Sequence, residues 1–202
     1  MQKSKFYKGL PQIIKDFPHR INQQHILPAL LKEFVNPQMV PFVLPNIFLI
    51  ASNGTKDEYR QVHVHMKPIL KLQEPIQILL ILVQNIELLL KLTPSEDLQA
   101  DVLPMLYRAL ETDTQQIQEM CLAFLPAYAS NVDYRTIKNG ILPRIRNLCL
   151  SSQNTKIVVN CLVCIGKLLE HMDKWMVLDD VVPFLMNIKT REPPVIMAII
   201  SM

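Results

Sequence analysis

The chain has 202 residues, half of them apolar, with 4 glycines against 15 prolines and a formal net charge of +3. That composition supplies a continuous core, favours helices rich in leucine, isoleucine and valine, and excludes a disordered chain or a β-sandwich built on glycine turns. The longest greasy stretch, IQILLILVQNIELLLKL, is interrupted by Gln84, Asn85, Glu87 and Lys91, so no run approaches the ~20 apolar residues of a membrane span.

The chain opens on MQKSKFYKGL, which lacks the apolar centre of a signal peptide, so a cytosolic protein with reduced thiols is expected. Lys3, Lys5, Lys8, Lys15, Arg20 and Lys32 face Asp16 alone within residues 1–32. This basic end is either a contact for an acidic partner, a membrane surface or nucleic acid, or a solvated end joined to another domain. FYKGLPQIIKDF reads as the closing helix of an earlier unit, over residues 1–17.

A proline then recurs inside helical patterns: Pro28 in HILPALLKEF, Pro104 in DVLPMLYRAL, Pro143 in GILPRIRNLC and Pro183 in DVVPFLMNIK. Pro104 and Pro143 are 39 residues apart, Pro143 and Pro183 are 40 apart, and 39 residues before Pro104 the slot is held by His65. A period near 40 belongs to HEAT and armadillo helical hairpins. Ten or eleven residues before each slot stand Thr55, Thr93, Asp133 and Asp173, good helix caps, with Glu58 and Glu96 completing capping boxes after the two threonines. The slot proline is therefore interior to the first helix of each unit, where it predicts a bend at the carbonyls of Ala100, Asn139 and Asp179.

The second helices follow as NPQMVPFVLPNIFLIA, EPIQILLILVQNIELLLKL, TQQIQEMCLAFLPAYA, NTKIVVNCLVCIGKLLEHM and EPPVIMAII, with Pro37 and Pro75 at helix starts. Ile157, Cys161, Cys164, Ile165, Leu168 and Met172 repeat at the three- and four-residue steps of a buried face. The pattern predicts an all-α HEAT/armadillo-like solenoid spanning 1–202. Its units are a partial leading helix (1–17), repeats at 18–53, 54–92, 93–131 and 132–172, and a truncated last repeat at 173–202. Both ends read as cut from something longer.

Residues that carry chemistry are sparse. Cys161 and Cys164 form CLVC within an apolar helix, and Cys121 and Cys149 stand alone, so buried thiols are expected rather than a zinc site. His63 and His65 point to different faces of one helix, with no third metal ligand evident. The glycines are scattered singly, so no phosphate-binding loop exists, and HRI at 19–21 lacks the aspartate of a kinase catalytic loop. Asp179 and Asp180 read as solvated first-turn charges, and Trp175 as the anchor of a turn between units, with a binding hot spot as its other reading. No catalytic residue, cofactor or metal site is expected. The polar stripe Gln77, Gln84 and Lys91, spaced by seven, is a candidate protein-binding face alongside the basic residues Lys3, Lys5, Lys8, Lys15 and Arg20.

The strings QKSKFYKGLPQIIKDFPHR, EFVNPQMVPFVLPNIFLIA, QEPIQILLILVQ, VLPMLYRALE and LVCIGKLLEHMDKWMVLDDVVPFL together resemble the HEAT-repeat region of the SCY-one-like pseudokinase family. The resemblance covers nearly the whole chain. It implies a non-catalytic scaffold, flanked in that family by a degenerate kinase-like domain and a tail with clathrin- and adaptor-binding motifs. It further implies work on clathrin-coated vesicles between Golgi, endosomes and plasma membrane, with coat or adaptor proteins as partners, membrane contact only through them, and no small-molecule substrate or nucleic acid. VHVHMKPIL is less apolar than the leucine–proline stretch typical of the family, so the second unit is expected to pack more loosely. The rival reading is a nucleic-acid- or transport-type HEAT adaptor that uses the basic N-terminal end.

Overall fold

The structure, a computed structural model, describes residues 2–202, and the described residues contain helices and no strand. They form two compact units, Met1–Met105 and Leu106–Met202.

The first unit begins with α1 (Gln2–Asp16), which buries Leu10 and Ile14. Next come α2 (His19–Ile21), a wide π-helical turn over Asn22–Ile26, and α3 (Leu27–Lys32). α4 (Val40–Ser52) lies against α1, α3 and α6 (Ile76–Gln84), and is apolar on nearly every side because it is covered on nearly every side. Val40, Val43, Leu44, Ile47 and Ile50 are all buried there. α5 (Lys56–Leu70) packs on α6 and on α7 (Ile86–Leu92). α1, α4 and α6 thus form one layer, with α3 and α5 packed onto it. Two asparagines stitch the elements: Asn22 Nδ2 donates to the Ile14 carbonyl at 2.9 Å, and Asn46 Nδ2 to the Tyr7 carbonyl at 3.0 Å. The unit closes with α8 (Ser95–Asp97) and a second π turn, Leu98–Val102, leading into α9 (Leu103–Glu111).

The second unit repeats the scheme. α10 (Gln115–Ala129), α13 (Thr155–Leu168) and α16 (Pro193–Ile200) pack side by side, α13 in the middle. The bulged helices are α11 (Tyr134–Thr136), the π turn Ile137–Ile141 and α12 (Leu142–Ser151), then α14 (Lys174–Met176), the π turn Val177–Val181 and α15 (Val182–Asn187). Ile157, Cys161, Cys164, Ile165 and Leu168 are buried as their spacing predicts, whereas Met172 is half-buried beyond the helix end.

The slot prolines do not simply bend their helices. Each stands two residues beyond a π turn, and the residue before it donates its N–H five residues back: Leu27 to Asn22, Leu142 to Ile137 and Val182 to Val177, with the Leu98–Val102 turn likewise closed on Leu98. An extra residue in the turn moves the carbonyls outward from the pyrrolidine ring, so the clash that predicted a kink is relieved by widening. α5, with His65 in the slot, has no such turn, although Pro68 lies inside it.

Capping holds at Thr55, whose box with Glu58 is complete, and at Asp133 and Asp173, which accept from the N–H groups of Thr136 and Met176. It fails at Thr93. That residue ends α7, donating its N–H to Leu89 O at 2.8 Å, and turns its side chain into the core; α8 follows Pro94 without a side-chain cap or a Glu96 box. Pro37 lies in a turn, and α4 starts three residues later, because Met39 rather than Asn36 precedes the first helical residue. The greasy helix of 76–92 is broken at Asn85 (φ −108°, ψ 21°), whose Nδ2 donates to the Ile81 carbonyl at 2.8 Å. Trp175 is 67% exposed and anchors nothing; Met176, three residues after the cap and fully buried, holds that turn.

Candidate protein-interaction surface

Within each unit, helices about one repeat apart lie close enough for side chains to meet, and different chemistry fills the space. α5 meets the Asp97–Asp101 segment through ions. His63, only 2% exposed, has Nε2 at 3.1 Å from Asp101 Oδ2 and 3.7 Å from Asp97, while Lys67 Nζ lies 2.8 Å from Asp97 and 3.4 Å from Asp101. The hydrogen bond from Lys67 holds the Asp97 carboxyl below the usual carboxylate range, and Asp97 in turn raises Lys67. His63, Asp97 and Asp101 are of the right types and close enough to share a divalent cation. The Lys67 ammonium already supplies the positive charge among these oxygens, and His63 Nδ1 has no partner to orient it as a metal ligand's second nitrogen normally has. The group is an ionic clamp between helices. Sequence reasoning found His63 and no companion; the missed signal was the period, since Asp101 lies 38 residues on, one repeat away.

In the second unit the fill is aromatic. The Arg144 guanidinium stacks 3.7 Å from the Tyr107 ring centroid, pairs with Glu111 at 3.1 Å and donates to Gly140 O at 2.9 Å. One unit on, Arg146 lies 5.4 Å from the Phe184 ring centroid and 3.8 Å from Asp180, which Lys138 also approaches at 3.7 Å. Asp180 is thus tied back to α12 and the π turn before it, while Asp179 remains exposed.

Between α3 and α5 the space is left open, as a groove of about 700 Å³. It is lined by the apolar Leu27, Pro28, Leu31 and Val62 and by the amides of Gln23, Gln24 and Gln61. His19 Nε2 lies 3.0 Å from Glu58 Oε1 at the start of α5, and a Cβ on Gly54 would stand 3.0 Å from Gln23 Nε2 and 3.1 Å from Glu58 Oε2, so Gln23 and Glu58 share one end. Asp57 adds charge at that end; Lys32, nine residues beyond Gln23 on one wall, and His65, seven beyond Glu58 on the other, lie away from it. The Thr55 backbone N–H, with His19 second, keeps the Glu58 carboxyl below its ordinary range, so that end is anionic at neutral pH. The groove lies beside the unit whose slot proline is His65.

The predicted contact residues are all exposed but do not converge. Gln77 and Gln84 stand on α6 and Lys91 on α7, across the break at Asn85. Lys3 pairs with Glu33 at 2.9 Å, Lys8 lies 5.5 Å from the Phe42 ring centroid, and Arg20 Nε donates to Gln24 at 3.1 Å, while Lys5 and Lys15 lie further along α1. All four cysteines are buried; burial pushes the Cys164 thiol up to about 12 and Cys121 higher still, and neither is a nucleophile at neutral pH.

No family model matches the chain. Over all 202 residues it is 52% identical to SCY1-like protein 2 of Homo sapiens and to that of Mus musculus. This chain is a relative of the SCY1-like proteins. A weaker likeness of 25%, over 99% of the chain, joins it to protein kinase domain-containing protein ppk32 of Schizosaccharomyces pombe. The chain spans 22% of the length of SCY1-like protein 2 and 27% of the fission-yeast protein, so the likeness covers one part of each.

Proposed function

We propose that this chain is a non-catalytic protein-interaction scaffold of HEAT type, working in clathrin-linked vesicle traffic between Golgi, endosomes and plasma membrane. The observation that carries the reading is the combination of whole-chain identity to SCY1-like protein 2 with helix pairs set about 40 residues apart. Repeated helical pairs offer an extended surface, and their polar side chains serve helix-to-helix contacts rather than a converging reactive centre. On this reading the protein is cytosolic, reaches membranes through its partners, and takes coat or adaptor proteins as those partners.

The test is a pull-down from cytosol with the purified chain, read by mass spectrometry beside a variant carrying alanine at Gln77, Gln84 and Lys91. Recovery of clathrin coat or adaptor proteins supports the scaffold, and their loss from the variant puts the contact on that stripe. A folded sample that recovers neither overturns the trafficking role.

A further inference from the structure

Deepening the scaffold reading, on which it rests, we infer that the groove between α3 and α5 is a docking site for an extended peptide with one basic end, an apolar middle and one acidic end. Two features of the groove favour it. First, it is lined by the side-chain amides of Gln23, Gln24 and Gln61, groups that both donate and accept as the main chain of an extended peptide does, with the Gln24 oxygen also accepting from Arg20.

Second, the charge is polar along the axis: Asp57 and Glu58 hold one end and the Lys32 ammonium lies toward the other, with the apolar Leu27, Pro28, Leu31 and Val62 also lining the groove. A ligand with the reverse polarity gains at both ends and is held in one direction. In the neighbouring inter-helix spaces the His63–Asp101 clamp and the Tyr107–Arg144 stack place side chains between the helices. The groove is open where that fill is missing.

The test uses isotope-labelled whole chain and two capped synthetic peptides followed by NMR: Lys-Lys-Gly-Leu-Gly-Leu-Gly-Glu-Glu and its charge-exchanged counterpart, Glu-Glu-Gly-Leu-Gly-Leu-Gly-Lys-Lys. Backbone direction makes one of them the better ligand, by about five- to tenfold, with shifts concentrated at Gln23, Gln24, Gln61 and His65. A chain carrying both Lys32→Glu and Asp57→Lys, exposed positions that leave the fold intact, prefers the other peptide. The inference is overturned if both peptides leave these resonances unmoved at millimolar concentration, if the paired substitution does not exchange the preference, or if the same resonances shift with protein concentration alone, which would mark the groove as a contact between copies. Coat or adaptor proteins still recovered by the doubly substituted chain, with no peptide binding to either form, would leave the scaffold standing and remove the groove from it.

Discussion

The hydroxyl of Tyr107 fills the space that a Cβ on Gly140 would need. Gly140 sits inside the π turn of Ile137–Ile141, and its backbone is close enough to α9 for Arg144 to stack on the same tyrosine while donating to the Gly140 carbonyl. Here glycine is required for approach, not for an unusual backbone angle. Gly140→Ala is expected to destabilise the chain by about 1–3 kcal/mol through overpacking. Tyr107→Phe, which removes the clashing oxygen, should recover part of that loss in the double variant. Denaturant unfolding of the four proteins of the cycle measures it, and strict additivity would show that the two residues do not share the space.

His63 and Asp101 are the most buried pair of the ionic clamp. Asp101→Ala leaves a buried imidazole without its partner and should cost about 1–3 kcal/mol. Adding His63→Leu removes the stranded group as well, so the double variant is expected to lie closer to the parent than the sum of the single losses. A coupling energy near zero would reduce the pair to a proximity with no energetic content.

Acid should weaken the fold through identifiable carboxylates. Asp97 is lowered by its bond from Lys67, Glu58 by the Thr55 N–H, and Asp133 by its contacts with Thr136. A carboxyl whose folded pKa is depressed stabilises fully above its unfolded value, about 4, and loses that contribution as pH falls through the folded value. Unfolding free energy measured from pH 7 down to pH 3 should decline below about pH 4. Asp97→Asn should be less stable at pH 7 and converge on the parent at the acid end; a constant gap at every pH would assign the effect to something other than ionisation.

The slot prolines give a test of opposite sign for two pictures of the helix. If Pro104 strained a regular helix, Pro104→Ala would stabilise by up to roughly 3 kcal/mol. With the turn of Leu98–Val102 already widened, the ring fits without strain, and the substitution should instead destabilise by about 0.4–1 kcal/mol by freeing the unfolded chain. Thermal and denaturant midpoints of the alanine variant separate the two.

The thiols should differ in reactivity despite shared burial. Cys149 accepts a hydrogen bond from Cys161, which lowers the Cys149 pKa and raises that of Cys161, while burial holds Cys164 near 12. In a disulfide reagent at pH 8 the folded chain should react at Cys149 first and slowly, with the others following only on unfolding. Peptide mapping of the singly labelled protein checks the order.

Much of this architecture was legible in the residues because it rests on local chemistry. Thr55, Asp133 and Asp173 cap as their types predict, and the three- and four-residue steps from Ile157 to Leu168 mark a face that is indeed buried. What escaped depends on hydrogen-bond register and on distant partners. A widened turn keeps the same apolar side chains in the core, so nothing in DVLPMLYRAL separates a bulge from a kink. Thr93 has the right type for a cap, yet it had already been used to finish the preceding helix. Trp175 was the larger residue beside Met176, but the third position after the Asp173 cap faces inward, whichever side chain occupies it. The groove was foreshadowed only by the polar character of VHVHMKPIL, and its walls come from separate helices that no local pattern joins.

Each helical residue advances the chain by about 100 degrees, so the residue accommodated in a widened turn re-aims everything beyond it. A bulged helix such as Asp133–Ser151 therefore works as two short rods with separate bearings, one set by its cap and one by its proline. For such a helix, spelling matters less than counting. Many single replacements in Ile137–Ile141 would leave both bearings alone, whereas deleting one residue there would swing Ile145 and Cys149 out of the core together. The interval between cap and proline, ten residues at both Asp133 and Asp173, is the quantity that this chain must keep.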